Sequence, residues 1–125
     1  MGLWLAIFVG GGIGACLRVA LMLWIDPRTS STFPWGLLAV NTLGCFGIGM
    51  LATFADDHGW LGPTARAFAV PGLLGGFTTL SSFGLDTLRL ASTGQLGMAG
   101  ANVAASLLFA VAGVATGAML ARSMT

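Results

Sequence analysis

Four stretches of this chain, residues 3–25, 34–54, 66–89 and 97–121, are each long and apolar enough to cross the hydrocarbon core of a bilayer. A helix rises about 1.5 Å per residue, so one crossing takes about 20 predominantly apolar residues. Arg18 alone interrupts the first stretch, and the second carries no charge. Between the stretches lie "DPRTSSTF" (26–33), "ADDHGWLGPT" (55–64) and "LASTGQ" (90–95), which read as turn-rich or polar connectors. The ten-residue alternation of a membrane β-barrel is missing. Composition closes the soluble alternative. Of 125 residues 56% are hydrophobic and 7% charged, where a soluble domain carries about 25% charged residues. The expectation is an all-α membrane protein, with four transmembrane helices in a single domain over residues 1–125.

The charges are five Arg and four Asp, with no Lys and no Glu, for a net charge of +1. Nothing in that balance calls for nucleic acid. Four spans put both termini on one side of the membrane. Arg66 and Arg122 flank that side, Arg28 and Arg89 flank the other, and Arg18 lies within the membrane toward the Arg28 side. Orientation follows the excess of Arg and Lys in cytoplasmic loops, and here the two faces balance. Two readings stand: the chain inserts both ways and the two orientations pair as an antiparallel dimer, or other cues select one orientation. "GGGIGA" (10–15), "GCFGIG" (44–49) and "GVATGA" (113–118) are small-residue faces that let helices approach closely. Four short helices enclose little volume, so a path for a solute points to a second subunit. Cys16 and Cys45 sit in apolar sequence and read as buried free thiols, with one disulfide as the alternative. No positive segment precedes "IGAC" (13–16) as a lipoprotein signal would need, and "MGLWLA" lacks the hydroxyl residue of a myristoylation site.

Polar groups inside spans are the candidates for function. Arg18 either snorkels to the interface or concentrates anions at a pore mouth. Asn41 offers two N–H donors and one acceptor; it either ties two helices together or faces a solute. Asp86, near the end of the third span, is the only acidic residue within one. That scarcity disfavours proton-coupled export of cations, and uncharged donors with one cation favour an anion. No Cys/His cluster, nucleophile–base pair or phosphate loop is present, and His58 in its polar loop reads as solvated. The third span is the unusual one. "GLLGGFTTLSSFG" (72–84) sits inside 19 uncharged residues, Ala67 to Leu85, and places two glycines and four hydroxyls at mid-depth. Either this is a glycine-rich helix packed on its neighbours, or the helix breaks there. A break is tolerated only where it is buried in protein or lines a cavity, and its exposed carbonyls suit a cation.

Three of the four spans carry a family resemblance. "GGGIGACLR" (10–18), "PWGLLAVNTLG" (34–44) and "PGLLGGFTTLSSF" (71–83), in this order and spacing, resemble the Fluc (CrcB) family of fluoride channels. The resemblance implies a third helix broken at mid-membrane and an antiparallel, dual-topology homodimer with two fluoride pathways and a central structural sodium ion. It implies that backbone carbonyls of Gly75 and Thr78 hold the sodium, two from each subunit. It places Asn41 as a donor to fluoride, Phe83 as a pore phenylalanine presenting its positive ring edge, and Ser82 and Ser106 on a polar track. Arg18 matches the first-span arginine at the vestibule. Three positions depart from the pattern. Leu80 stands where many members carry a second pore phenylalanine, Leu37 replaces a threonine after "PWG", and Asn102 stands where some members carry a pore-side aromatic.

The function implied is a passive fluoride-selective channel, not an enzyme, in the bacterial plasma membrane, with fluoride, lipid and a second copy of itself as partners. A proton-coupled exporter of the small multidrug type is the alternative, as is a non-transporting accessory subunit. The exporters use a first-span glutamate, which this sequence lacks.

Overall fold

The computed structural model describes residues 1–124, with His58 described by its backbone alone. Helix α1 spans Gly2–Thr29, α2 Trp35–His58 and α6 Leu96–Ser123. Between α2 and α6 the chain runs through α3 (Pro63–Ala67), a wide π-helical turn (Phe68–Leu74), α4 (Gly75–Phe77) and α5 (Leu80–Ser92). Four runs are long and apolar enough to cross a membrane: Gly2–Thr29, Trp35–Asp57, Pro63–Ser92 and Leu96–Ser123. The described residues contain no strand.

The helices outlast the apolar stretches at both ends. α1 continues through Asp26, Pro27 and Arg28, and α2 through Asp56 and Asp57, all of which the sequence assigns to connectors. The reason is length. A 28-residue helix exceeds a hydrocarbon core of about 30 Å, and its ends remain helical where water or headgroups solvate polar side chains. The Arg28 guanidinium donates to the Trp24 carbonyl and lies 4.7 Å from the centre of the Trp24 ring. Asp26 reaches across the connector, where its Oδ1 accepts the Gly36 amide at 2.7 Å and caps the start of α2.

Helix packing in a bilayer lacks a hydrophobic driving force and depends on close approach. α1 packs on the first half of the third span, α2 packs on α6, and α5 packs on α6. Glycine makes each approach possible. A Cβ at Gly14 would lie 2.1 Å from the Leu73 carbonyl oxygen, and one at Gly10 2.5 Å from that of Phe68. On the other pair, a Cβ at Gly117 would lie 2.1 Å from the Phe46 oxygen, and one at Gly49 2.1 Å from the Val114 oxygen. Glycines of all three small-residue faces noted in the sequence therefore close interfaces within one chain. Leu37 and Val40 of α2 are the largest fully buried apolar side chains among the described residues. Cys16 and Cys45 are free thiols, but Cys16 is exposed on the outer side of α1 and not buried as expected.

The π turn has a local cause. Pro71 has no N–H and its ring clashes with a carbonyl one α-turn earlier, so the ladder widens around it. Its last bond of this kind runs from the Gly75 amide to the Val70 carbonyl. Three residues later the backbone leaves helical geometry. Thr78 has φ −83° and ψ 154°, and Thr79 φ −154° and ψ 123°. The third span changes neighbours at this point: its first half lies on α1, and α5 lies on α6.

Candidate functional site

The two extended residues are held from α2. The Thr79 amide donates to Asn41 Oδ1 at 2.9 Å, and Asn41 Nδ2 donates back to the Thr79 carbonyl at 3.2 Å. One side chain thus satisfies both backbone groups of one residue, as a neighbouring strand would. The redirected amide has a consequence for Gly75. In a continuous helix the Thr79 amide would close onto the Gly75 carbonyl, four residues back; here it points to Asn41. Thr78 lies just outside α5. The amide that would serve its carbonyl in a helix, that of Ser82, instead contacts Thr79 Oγ1 at 3.4 Å, in the N-cap arrangement. The Thr78 hydroxyl donates to the Leu74 carbonyl at 3.0 Å. The carbonyls from Gly75 to Thr78 are thereby released from the helical ladder, and of these four residues Gly75 and Thr78 line the cavity beside the break.

The two glycines in "GG" do different things. A Cβ at Gly76 would lie 2.4 Å from the Gly11 carbonyl oxygen, so Gly76 exists for contact with α1. Gly75 is exposed, and a Cβ there would meet only the Val70 oxygen at 3.7 Å. A cavity of about 450 Å³ opens beside it, lined by Asn41, Cys45, Gly75, Thr78, Leu80, Phe83 and Ser106 among others. Leu80 is 80% exposed, so the cavity is open on that side.

Behind the cavity a chain of polar side chains joins α5 to α6. Ser106 Oγ donates to Asn102 Oδ1 at 3.4 Å, Asn102 Nδ2 donates to Thr87 Oγ1 at 2.9 Å, and the Thr87 hydroxyl donates to the Phe83 carbonyl at 2.8 Å. Asn102 is 1% exposed and is the buried polar residue among the described ones.

The profile of a family described as CrcB-like protein, Camphor Resistance (CrcB), matches residues 5–118. The chain belongs to the CrcB-like family. A relative from Opitutus terrae is 45% identical over 116 residues, covering 91% of this chain and 88% of its own length. One from a Roseiflexus species is 44% identical over 118 residues, covering 94% and 95%. One from Rhizobium meliloti is 39% identical over 120 residues, covering 96% of each chain. All three carry the name "Fluoride-specific ion channel FluC". With its four membrane-capable helices and these bacterial relatives, this CrcB-like chain is a multi-pass membrane protein.

The structure gathers Asn41, Gly75, Thr78, Leu80, Phe83 and Ser106 on one cavity. Ser82 lies in the first turn of α5, beside the lining. Arg18 lies apart, on α1, with its Nε buried and without a hydrogen-bond partner. Asn102 is buried between α5 and α6. Leu37 is buried at 2% exposure. The sequence reading missed Thr79 as the backbone partner of Asn41, Cys45 as a cavity wall, and the Thr87–Asn102–Ser106 chain. The "TT" and the buried Asn were the available signals, but partners in space are not written in spacing.

The freed carbonyls fit a small monovalent cation. Neutral carbonyl oxygens suit an alkali ion, and the described residues hold no group of three His, Cys, Asp or Glu for another metal. Two carbonyls from one chain are too few for a shell, so a second copy would have to complete it.

Proposed function

We propose that this chain is a passive, fluoride-selective channel that exports cytoplasmic fluoride across the bacterial inner membrane. The family membership and the names of the relatives support the substrate. The observation that carries the proposal to particular residues is the cavity on which a side-chain amide, a hydroxyl, a phenyl ring and two unladdered carbonyls meet. The third helix is broken at mid-membrane, at Thr78 and Thr79. Two copies pair antiparallel, in dual topology, which the balanced arginines support. Gly75 and Thr78 of both copies hold a structural sodium ion through their carbonyls. Bound there, sodium supplies a fixed positive charge at the centre of the dimer.

The residues of the chain then do the following. Asn41 has one amide hydrogen left over from its pair with Thr79 and offers it to fluoride. Phe83 presents its ring edge, the positive part of its quadrupole. Ser82 and Ser106 supply hydroxyls along the track, and Leu80 stands on the open side of the cavity without a ring. Arg18 raises the anion concentration at the vestibule. The membrane potential drives the anion out with about 2.3 kcal/mol per 100 mV. No carboxylate at depth is needed, in keeping with the absence of Glu.

Purified protein in liposomes loaded with potassium fluoride tests the proposal. Valinomycin should release fluoride at a rate far above that of protein-free vesicles, with chloride retained. Vesicles that hold their fluoride, or lose chloride equally fast, would remove the reading. Cysteine tagging of the C-terminus in cells tests the pairing: label should arrive from both sides of the membrane, and one-sided labelling rules out dual topology.

A further inference from the structure

We infer that Asn41 is a positioning residue for the cation: its amide holds the Gly75 and Thr78 carbonyls out of the helical ladder. This rests on the cation reading of those carbonyls. The Thr79 amide has two possible acceptors. One is the Gly75 carbonyl, which would heal the helix. The other is Asn41 Oδ1, which it uses at 2.9 Å. Both are amide oxygens, so the exchange is close to even in hydrogen-bond strength. Asn41 tips it by also donating to the Thr79 carbonyl at 3.2 Å. An extended residue at depth has no water to satisfy its backbone, and each unsatisfied group is costly. One side chain removes both penalties at Thr79.

Take that side chain away and the remedy within reach is for the Thr79 amide to return to the Gly75 carbonyl. That oxygen is then consumed, and Thr78 is drawn back toward helical geometry with its own carbonyl. Asn41 thus has two separable uses of its amide. The Oδ1 acceptor and one hydrogen serve the backbone; the other hydrogen is available to the cavity. Asp at this position keeps the acceptor and loses the donors. Leu or Ala loses both.

The test reads sodium directly. The melting temperature of the purified dimer is measured against sodium concentration, with N-methylglucamine as replacement cation, for the parent, Asn41→Leu, Asn41→Ala, Asn41→Asp and Phe83→Ile. Fluoride efflux is measured alongside. In the parent and in Phe83→Ile the dimer should be stabilised by sodium with the same midpoint. Asn41→Leu and Asn41→Ala should shift that midpoint upward by about 5–150-fold, the effect of two net hydrogen bonds. Asn41→Asp keeps the acceptor and loses the donor to the Thr79 carbonyl, so its midpoint should rise by about 2–12-fold, the effect of one net hydrogen bond, while efflux is lost. A folded Leu or Ala variant with the parent midpoint overturns the inference. If neither folds, Asn41→Asp decides it, because a midpoint equal to the parent's despite the lost donor also overturns it. A parent with no sodium response removes the cation reading itself, and this inference with it.

Discussion

Gly44 on α2 faces the methyl group of Thr78, and the pair can be tested by exchange. A Cβ added at Gly44 would lie 2.1 Å from Thr78 Cγ2 and 3.3 Å from Phe77 Cδ1. Carbon atoms in contact rest about 3.5–4.0 Å apart, so Gly44→Ala creates an overlap of roughly 1.5 Å with Thr78. Thr is β-branched and stiff at χ1, and its hydroxyl is tied to the Leu74 carbonyl at 3.0 Å. The side chain cannot swing away without breaking that bond, and moving the whole residue shifts its carbonyl. Overpacking of this kind costs about 1–3 kcal/mol. Thr78→Ser deletes the offending methyl and keeps both the hydroxyl and the backbone. The double variant should therefore recover most of what Gly44→Ala loses, an interaction of about 1–3 kcal/mol of opposite sign. The assay is a double-mutant cycle on reversible unfolding in mixed micelles, with fluoride efflux measured on the same four proteins. Efflux should fall in Gly44→Ala and return in the double variant. An additive cycle, or a Gly44→Ala protein that matches its parent, refutes the steric argument.

Other substitutions separate residues that sequence alone treats alike. Gly75→Ala should fold, whereas Gly76→Ala, which drives a methyl into the Gly11 carbonyl at 2.4 Å, should fail to yield a stable dimer by size-exclusion chromatography. Phe83→Ile should slow fluoride efflux strongly in liposomes while the dimer stays intact, and Leu80→Phe should preserve or raise it if the fold holds. An unchanged rate in Phe83→Ile would leave the hydroxyls and Asn41 to carry the anion. Asn102→Leu breaks the link between Thr87 and Ser106. It should destabilise by about 0.6–2 kcal/mol, the scale of interhelical hydrogen bonds in membranes, read as a lowered unfolding midpoint.

The spans were legible because water and hydrocarbon solvate side chains so differently that composition alone places them. Their ends were not, because Asp26 and Arg28 are excluded from the hydrocarbon but not from a helix. "GGFTTLSSF" announced something unusual at 75–83, yet the two glycines could not be told apart. Gly76 answers to the backbone of Gly11 on another helix, and Gly75 does not. Asn41 was visible as an intramembrane amide with two readings open. Its pairing with Thr79 depends on how α2 lies against the third span, and no local pattern encodes that. Asn102 looked like a departure at the cavity, and proves to be buried between α5 and α6, where Thr87 partners it.

The π turn at Phe68–Leu74 acts as a setting of angular phase. Each residue of an α-helix advances the chain by about 100° around its axis, and a π turn accommodates one residue more than an α turn would. Everything downstream is therefore rotated by that step relative to α1, on which the span has already docked through Gly72. Deleting one residue from the turn would restore the ordinary pitch. It would also carry Gly76 off Gly11 and swing the Gly75 and Thr78 carbonyls about a quarter-turn around the axis. Pro71 thus sets, from a turn away, the compass bearing at which Gly75 and Thr78 meet the cavity.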